Sequence, residues 1–408
     1  MFLAVEGGGN PAQISEELSK GRLFLSLTFI SLIIYAVLYL LEHCFYKLPL
    51  TEISKTNRVP YLDYLRVFAM MAVICIHVSA NKWYSTPVTE INWHIFNFYD
   101  SIVRWAVPVF VMISGSLFLN PNKVVPIRTV FTKYIVRIGM AFIIFSTLYS
   151  VWNNGFKIKL FTIIHGEYHM WYLLMIMGLY MCIPMIKPLV TSGSLLKYFL
   201  AIFIVINCLL PFLSTLSNDF ANDFVKDQFT KFNNEFKRID LKLFDQWVGY
   251  FILGFYLSRI KITAKIAVLA FITGISGSVL TIVLDSIVAI KTNQPYDGYY
   301  GHLPVLFMSI SVFVITKYCV EKIETEKNQS SRTIFLNNIV RSMSKFTFGA
   351  YLCHVFVISI TMIVLSKFDM STRTYSVISV PIICLIVFIC SYLISFALTT
   401  IPFIRKYM

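Results

Sequence analysis

Tyr61-Leu-Asp63-Tyr-Leu-Arg66-Val-Phe-Ala-Met-Met-Ala-Val-Ile-Cys-Ile-His77 is the stretch on which the fold turns. It is apolar without interruption from Val67 to Ile76, yet three ionisable side chains frame that run. Wound as an α-helix, it puts Arg66 and His77 on one face, offset by about 20° and separated by roughly 16 Å along the axis. Asp63, three residues before Arg66, can pair with it on the same helix. An ionisable group inside a membrane span is costly and marks function by default. The bland alternative is that Arg66 snorkels to a membrane surface and His77 is a polar residue at the far end of its helix.

The chain around this stretch has the composition such a span requires. Of its 408 residues 57% are hydrophobic and 14% charged, against about 45–50% and about 25% in a soluble domain. A water-soluble enzyme is excluded. Apolar runs near the roughly 20 residues that cross a bilayer fall at 22–41, 61–80, 98–119, 134–152, 170–189, 197–215, 246–259, 266–290, 303–320, 347–366 and 375–398. The expected fold is an all-α polytopic membrane protein of about eleven transmembrane helices. The run ending at Arg259 is short. Leu23 to Leu40 follows a polar stretch and lacks a clear cleavage site, so it reads as a retained helix in an N-terminal extension, 1–57, and not as a signal peptide.

The net charge of +14 does not signal nucleic acid, because the 35 Lys and Arg are dispersed among the apolar runs. They report topology, since cytoplasmic loops are enriched in Lys and Arg. With the loop of Lys47, Lys55 and Arg58 inside, alternation places 20 basic residues inside and 13 outside, with the N-terminus out and the C-terminus in. The 8 cysteines form no C-x-x-C pair, so neither a disulfide framework nor a zinc ribbon is indicated. His165-Gly-Glu167-Tyr-His169 has the wrong order for a zinc helix and no evident third ligand, so no metal is expected. The outer loop from Ser217 to Asp245 carries Phe220, Phe224, Phe229, Phe232 and Phe236 at near-helical spacing, which suits an amphipathic connecting helix or a lid. Trp83, Tyr84, Trp93, Phe96 and Tyr99, like Tyr296, Tyr299 and Tyr300, read as an interfacial belt or as flat faces for a sugar.

Several segments, in order, carry a family resemblance. Tyr61-Leu-Asp63-x-x-Arg66, ten residues, then His77 resembles the first core helix of the membrane-bound acyltransferase-3 family. Arg104-Trp-Ala-Val-Pro108-Val-Phe-Val-Met-Ile-Ser114-Gly115 resembles its second core helix, and His169-Met-Trp171-Tyr172-Leu its His-x-Trp-Phe-Leu segment. Gly249-Tyr-Phe-Ile-Leu-Gly254-Phe-Tyr resembles a later segment, and Ser344 with Phe348-Gly349-Ala-Tyr351-Leu-Cys-His354 the Phe-Gly-x-Tyr-x-x-His near the end. The resemblance covers about residues 58 to 400 and assigns 58–408 to a ten-helix membrane domain. It departs at Lys133-Tyr134-Ile-Val-Arg137, where the family often carries Arg-x-x-Arg.

The resemblance implies an O-acyltransferase of a bacterial cytoplasmic (inner) membrane. It would move an acetyl group from cytoplasmic acetyl-CoA to a hydroxyl of an envelope polysaccharide, such as O-antigen, or of its lipid-linked precursor. Its partners would be an acyl-CoA donor, that glycan and the lipid bilayer, with no metal and no nucleic acid. His77 is the expected base, supported by Arg66 and Asp63, because imidazole titrates near neutrality. Arg66, Lys133 and Arg137 are the expected donor site, guanidinium forks being suited to phosphate, although the positive-inside rule explains Lys133 and Arg137 equally well. Arg104, Ser114, His169, Trp171 and His354 are expected at the acceptor, with His354 open to a packing role or to carrying a second proton. The rival class is a transporter or exporter whose polar path is lined by Asp63, Arg66, His77 and Arg104. A weaker third reading is a sensor or a membrane subunit of an envelope complex.

Overall fold

The computed structural model describes residues 59–120, 125–155, 159–220, part of 223–234, 246–296, 303–325, 330–368, 370–373 and 375–408. The expected helix at 22–41, the loop residues Phe224, Phe229, Phe232 and Phe236, and Tyr299 and Tyr300 lie outside these. Every regular element among the described residues is helical. The elements are α1 (Pro60–Trp83), α2 (Ile91–Ser101), α3 (Ala106–Phe118), α4 (Ile127–Asn154), α5 (Leu160–His165), α6 (Tyr168–Val190), α7 (Gly193–Asp219), α8 (Gln246–Arg259), α9 (Ala264–Thr292), α10 (Leu303–Thr325), α11 (Ser331–Ser366), α12 (Ser376–Thr399) and α13 (Pro402–Arg405). Nine stretches among the described residues are long and apolar enough to cross a membrane, α2 and α3 together making one of them. The protein is a multi-pass membrane protein.

Local chemistry sets the helix ends. Pro60 opens α1, where its missing N–H costs nothing. Thr263 and Ser330 cap α9 and α11 by accepting from the backbone N–H of Ile266 and Arg332. The run expected at 98–119 is two helices, because the chain from Ile102 to Arg104 bonds through i to i−3 and i−4 contacts before restarting at Ala106. Pro108 falls in the first turn of α3, where no intrahelical donor is needed. α11 is longer than its apolar run, starting at Ser331 instead of 347, where the Ser330 side chain caps it.

At 14 residues, α8 is about 21 Å long, short of the roughly 30 Å hydrocarbon core. It nevertheless runs the depth of the bundle. Near its start Trp247 meets Trp171 with ring centroids 5.6 Å apart. At its last turn and just beyond, Lys317 Nζ donates to the carbonyls of Leu257, Ser258 and Ile260 at 3.0, 2.8 and 2.7 Å, with the Tyr61 ring 5.8 Å away. Tyr250, Phe251 and Ile252 are fully buried, so α8 is enclosed by protein and need not match the bilayer.

Two glycines let α8 approach α3. A Cβ on Gly115 would collide with the Phe251 carbonyl, and one on Gly254 with that of Met112. Ser116 Oγ donates across the seam to the Gly254 carbonyl at 2.9 Å. Small residues bring membrane helices into van der Waals contact where lipid supplies no hydrophobic drive. The outward faces of α9 and α12 expose Leu269, Phe271, Ile272, Ile378, Ile382 and Leu385, a surface suited to acyl chains and not to water.

Candidate active site

α1 runs unbroken from Pro60 to Trp83, so Arg66 and His77 keep their rise of roughly 16 Å. They anchor two polar clusters. At the first, Arg66 Nη1 donates to Asp63 Oδ1 at 2.8 Å, and Ser344 Oγ of α11 donates to the same oxygen at 2.6 Å. Arg66 Nη1 also lies 3.3 Å from Ser344 Oγ. Asp63 is buried and Arg66 is partly open, so the carboxylate orients the guanidinium while leaving it reachable. The next residue after Asp63, Tyr64, donates through Oη to Asn337 Oδ1 at 2.6 Å and fixes α1 against α11 again.

At the second cluster three imidazoles meet. The ring centroid of His354 lies 5.1 Å from His77 and 5.0 Å from His169, and His77 and His169 are 6.4 Å apart. His169 stands in the 3₁₀ turn Tyr168–Met170 that opens α6, and His354 lies on α11. Both are buried, whereas His77 is half-buried. Tyr351, one turn before His354, holds both of these rings. Its backbone carbonyl lies 2.6 Å from His354 Nδ1, and its hydroxyl donates to the His169 carbonyl. Tyr149 of α4 stands 5.3 Å from His169, stacks on Phe356 at 3.7 Å and donates to the Leu352 carbonyl at 3.1 Å. Tyr168 closes the other flank of His77 at 5.4 Å.

Polar and aromatic side chains connect the two clusters through the bundle. Arg66 and Arg137 both lie within electrostatic reach of the Tyr180 hydroxyl. That hydroxyl is 3.5 Å from Ser114 Oγ, and Ser114 also serves Tyr172. The Tyr172 ring is 5.6 Å from Tyr351, which borders the imidazoles.

The remaining expected site residues separate. Arg104 pairs with buried Asp100 one turn earlier, lies 5.8 Å above the Trp83 ring and is within electrostatic reach of His77. Trp171 is outside the imidazole triangle, tilted against Trp247. Lys133 is exposed beside Tyr134. Arg137 donates to the Met408 carbonyl and lies over Phe348. Tyr134, at the family's first arginine position, packs against Phe118 and Tyr180 with centroids 4.8 and 6.2 Å away.

The two clusters use residues from both ends of the sequence, and their match to a known family covers the same extent. The acyltransferase-3 family model, described as an acyltransferase domain, matches residues 59–399, from the residue before α1 to the last residue of α12. The chain belongs to the acyltransferase-3 family. No curated protein and no solved structure matches it. This membrane acyltransferase thus gathers His77, His169 and His354 from three of the resembling segments.

Sequence reasoning carries Tyr351 only as part of a resembling segment, with no role, and does not single out Tyr149, Tyr168, Asp100 or Lys317 as site or structural residues. Tyr351 was within reach, since i and i+3 share a helix face and His354 follows it by three. Lys317 was counted as a topology charge, but it caps the α8 carbonyls. Among the described residues no group of three His, Cys, Asp or Glu is arranged to hold a metal ion. What the imidazole cluster can do is move protons in a setting shielded from bulk water.

Proposed function

We propose that this acyltransferase transfers an acetyl group from cytoplasmic acetyl-CoA to a hydroxyl of a bacterial envelope polysaccharide or its lipid-linked precursor, within the inner membrane, with 58–408 as the transferring unit. The observation that carries the reading is the position of His77: half-buried, walled by His354, His169 and Tyr168, and eleven residues from Arg66 on the same helix face. A base is needed to take a hydroxyl proton, and imidazole is the side chain suited to it near neutral pH.

The cations fit a polyphosphate donor. Arg66 is held by Asp63 and Ser344 with part of its surface open, and Arg137 faces the same Tyr180 hydroxyl. Charge-assisted forks of this kind favour phosphate oxygens. The rise of roughly 16 Å from Arg66 to His77 supports a reading with Arg66 at the phosphate end of the donor, since an extended pantetheine arm spans a comparable length. Acetyl-CoA supplies the acyl group already activated as a thioester. His77 takes the acceptor hydroxyl proton as the acceptor oxygen bonds to the acyl carbon. The carbon–sulfur bond breaks, and His77 returns that proton to the departing sulfur. On the acceptor side His169 and His354 border His77 and Arg104 stands within electrostatic reach of it, whereas Ser114 and Trp171 lie apart from the imidazoles.

The test is acetyl incorporation from radiolabelled acetyl-CoA into the glycolipid and glycan fractions of membranes containing the protein. His77→Ala is expected to lower it by about 10²–10⁴, the scale of losing a positioned base, with protein abundance unchanged. Incorporation near the wild-type rate overturns the assignment. Loss of glycan export with acetyl esters intact on the retained material would favour the transporter.

A further inference from the structure

His354 is fixed in one tautomer by its surroundings. Its Nδ1 lies 2.6 Å from the Tyr351 carbonyl, buried and inside a helix. A carbonyl only accepts, so Nδ1 carries the hydrogen, and Nε2 of the neutral ring is left as a lone-pair acceptor. Nε2 is buried and meets no hydrogen-bond donor. An unmet buried acceptor carries an uncompensated desolvation penalty, one that persists where a group serves a purpose.

The donors that surround it are few. His354 lies at the apex of the imidazole triangle, about equally close to His77 and His169, whereas those two are farther from each other. The His169 ring nitrogens likewise meet no partner at bonding geometry. The Leu352 carbonyl near that ring accepts from Tyr149 at 3.1 Å and has a second lone pair for a His169 N–H. Of the two neighbours only His77 is half-buried, so of the two it is the one open to an incoming hydroxyl.

We propose that His354 is a positioning residue for His77: its Nε2 accepts the N–H of His77 on the side facing it, so that the other His77 nitrogen presents its lone pair to the acceptor hydroxyl. The arrangement follows the general logic by which a base is oriented by a third group. Tyr351 completes the chain, since its carbonyl sets the His354 tautomer and its hydroxyl ties down the His169 backbone. When His77 takes the hydroxyl proton, the charge it gains is shared through the same N–H to the neutral His354, and the proton leaves His77 to the departing sulfur. His354 begins and ends neutral.

The inference rests on His77 being the base. The experiment compares wild type, His354→Gln, His354→Phe and His77→Ala in the full-length protein in membranes, measuring acetyl incorporation from radiolabelled acetyl-CoA against acetyl-CoA concentration. Gln keeps an accepting oxygen near the Nε2 position, whereas Phe keeps a ring and accepts nothing. His354→Phe is expected to lower kcat by roughly 10²-fold or more with the KM for acetyl-CoA unchanged, and His354→Gln to recover at least a tenth of the wild-type rate. A merely structural role would impair Gln and Phe alike, and that result overturns the proposal. So does a near wild-type His354→Phe while His77→Ala is inactive. Activity in His77→Ala would instead remove the base assignment itself, so the two failures are distinguishable. Where His354→Phe lowers the amount of folded protein, rates normalised to protein and the Gln rescue decide the outcome.

Discussion

At position 134 a phenol stands where the family pattern carries an arginine, and it packs into an aromatic cluster with Phe118 and Tyr180. The cationic charge of this segment is therefore left to Lys133 and Arg137. Lys133 is exposed, and Arg137 reaches the Met408 carbonyl and the Tyr180 region. If both meet a charged donor, replacing them together with Gln weakens ground-state binding more than it slows the chemistry. The expected result is an acetyl-CoA KM raised about tenfold, or about 1.4 kcal/mol, with kcat within about threefold of wild type. An unchanged KM would leave them as topology charges alone. Asp63, Arg66 and His77 were legible because ionisable groups stand out in an apolar run. Lys317 was misread as a topology charge because its partners lie 57–60 positions away, beyond any local pattern. Asp100, by contrast, was within local reach, because it precedes Arg104 by four residues, the spacing of a helical ion pair; only the Trp83 ring alongside needed the fold.

At the scale of elements, the glycines in two of the resembling segments turn out to be contact points. Gly115 and Gly254 lie where α3 and α8 meet backbone to backbone. Their spacing could be quoted from the sequence, but their purpose required both helices to be in place. Gly254→Ala is expected to destabilise the protein by about 1–3 kcal/mol through overpacking against an immovable carbonyl. Gly178 in α6 supplies the control, because a Cβ there meets nothing within 4 Å. Gly178→Ala should be neutral or stabilising by up to about 1 kcal/mol, since alanine favours the helix. Thermal unfolding in detergent checks both, and equal effects from the two variants would refute the close-packing account. The ten helical runs after residue 58 were found in order because apolar length is a strong signal. The break at Ile102 to Trp105 and the early start of α11 were missed: the first lies inside an apolar run, and the second begins in polar sequence.

For the whole molecule, the helix directions are fixed by contacts at both ends of the bundle. At one end Arg373, just before α12, donates to the Ser85 carbonyl at 2.7 Å and to Thr86 Oγ1 at 3.0 Å. Tyr99 Oη of α2 donates to the Val377 carbonyl at 2.8 Å, and Lys291 at the end of α9 reaches the Asp219 carbonyl at the end of α7. At the other end Tyr61, Lys317 and Ile260 come together. These contacts set the end of α1 beside the starts of α2 and α12, and the start of α1 beside the end of α8; an alternating path through them counts α8 as a full traverse despite its length. This geometry relates the two ends to each other, and the basic residues decide which faces the cytoplasm. Lys317 leaves that comparison because it is buried against α8 carbonyls, yet the excess on the Arg66 side remains. The expectation is that the Arg66 end, with the segments 123–137 and 321–345, is cytoplasmic. Single cysteines placed there in a cysteine-free background should resist an impermeant thiol reagent in intact cells and react after permeabilisation. Cysteines between α1 and α2, near Tyr84 and Ile91, should react without it. The opposite labelling pattern would invert the protein, put its cation cluster on the far side from cytoplasmic acetyl-CoA, and with that remove the donor half of the proposed reaction.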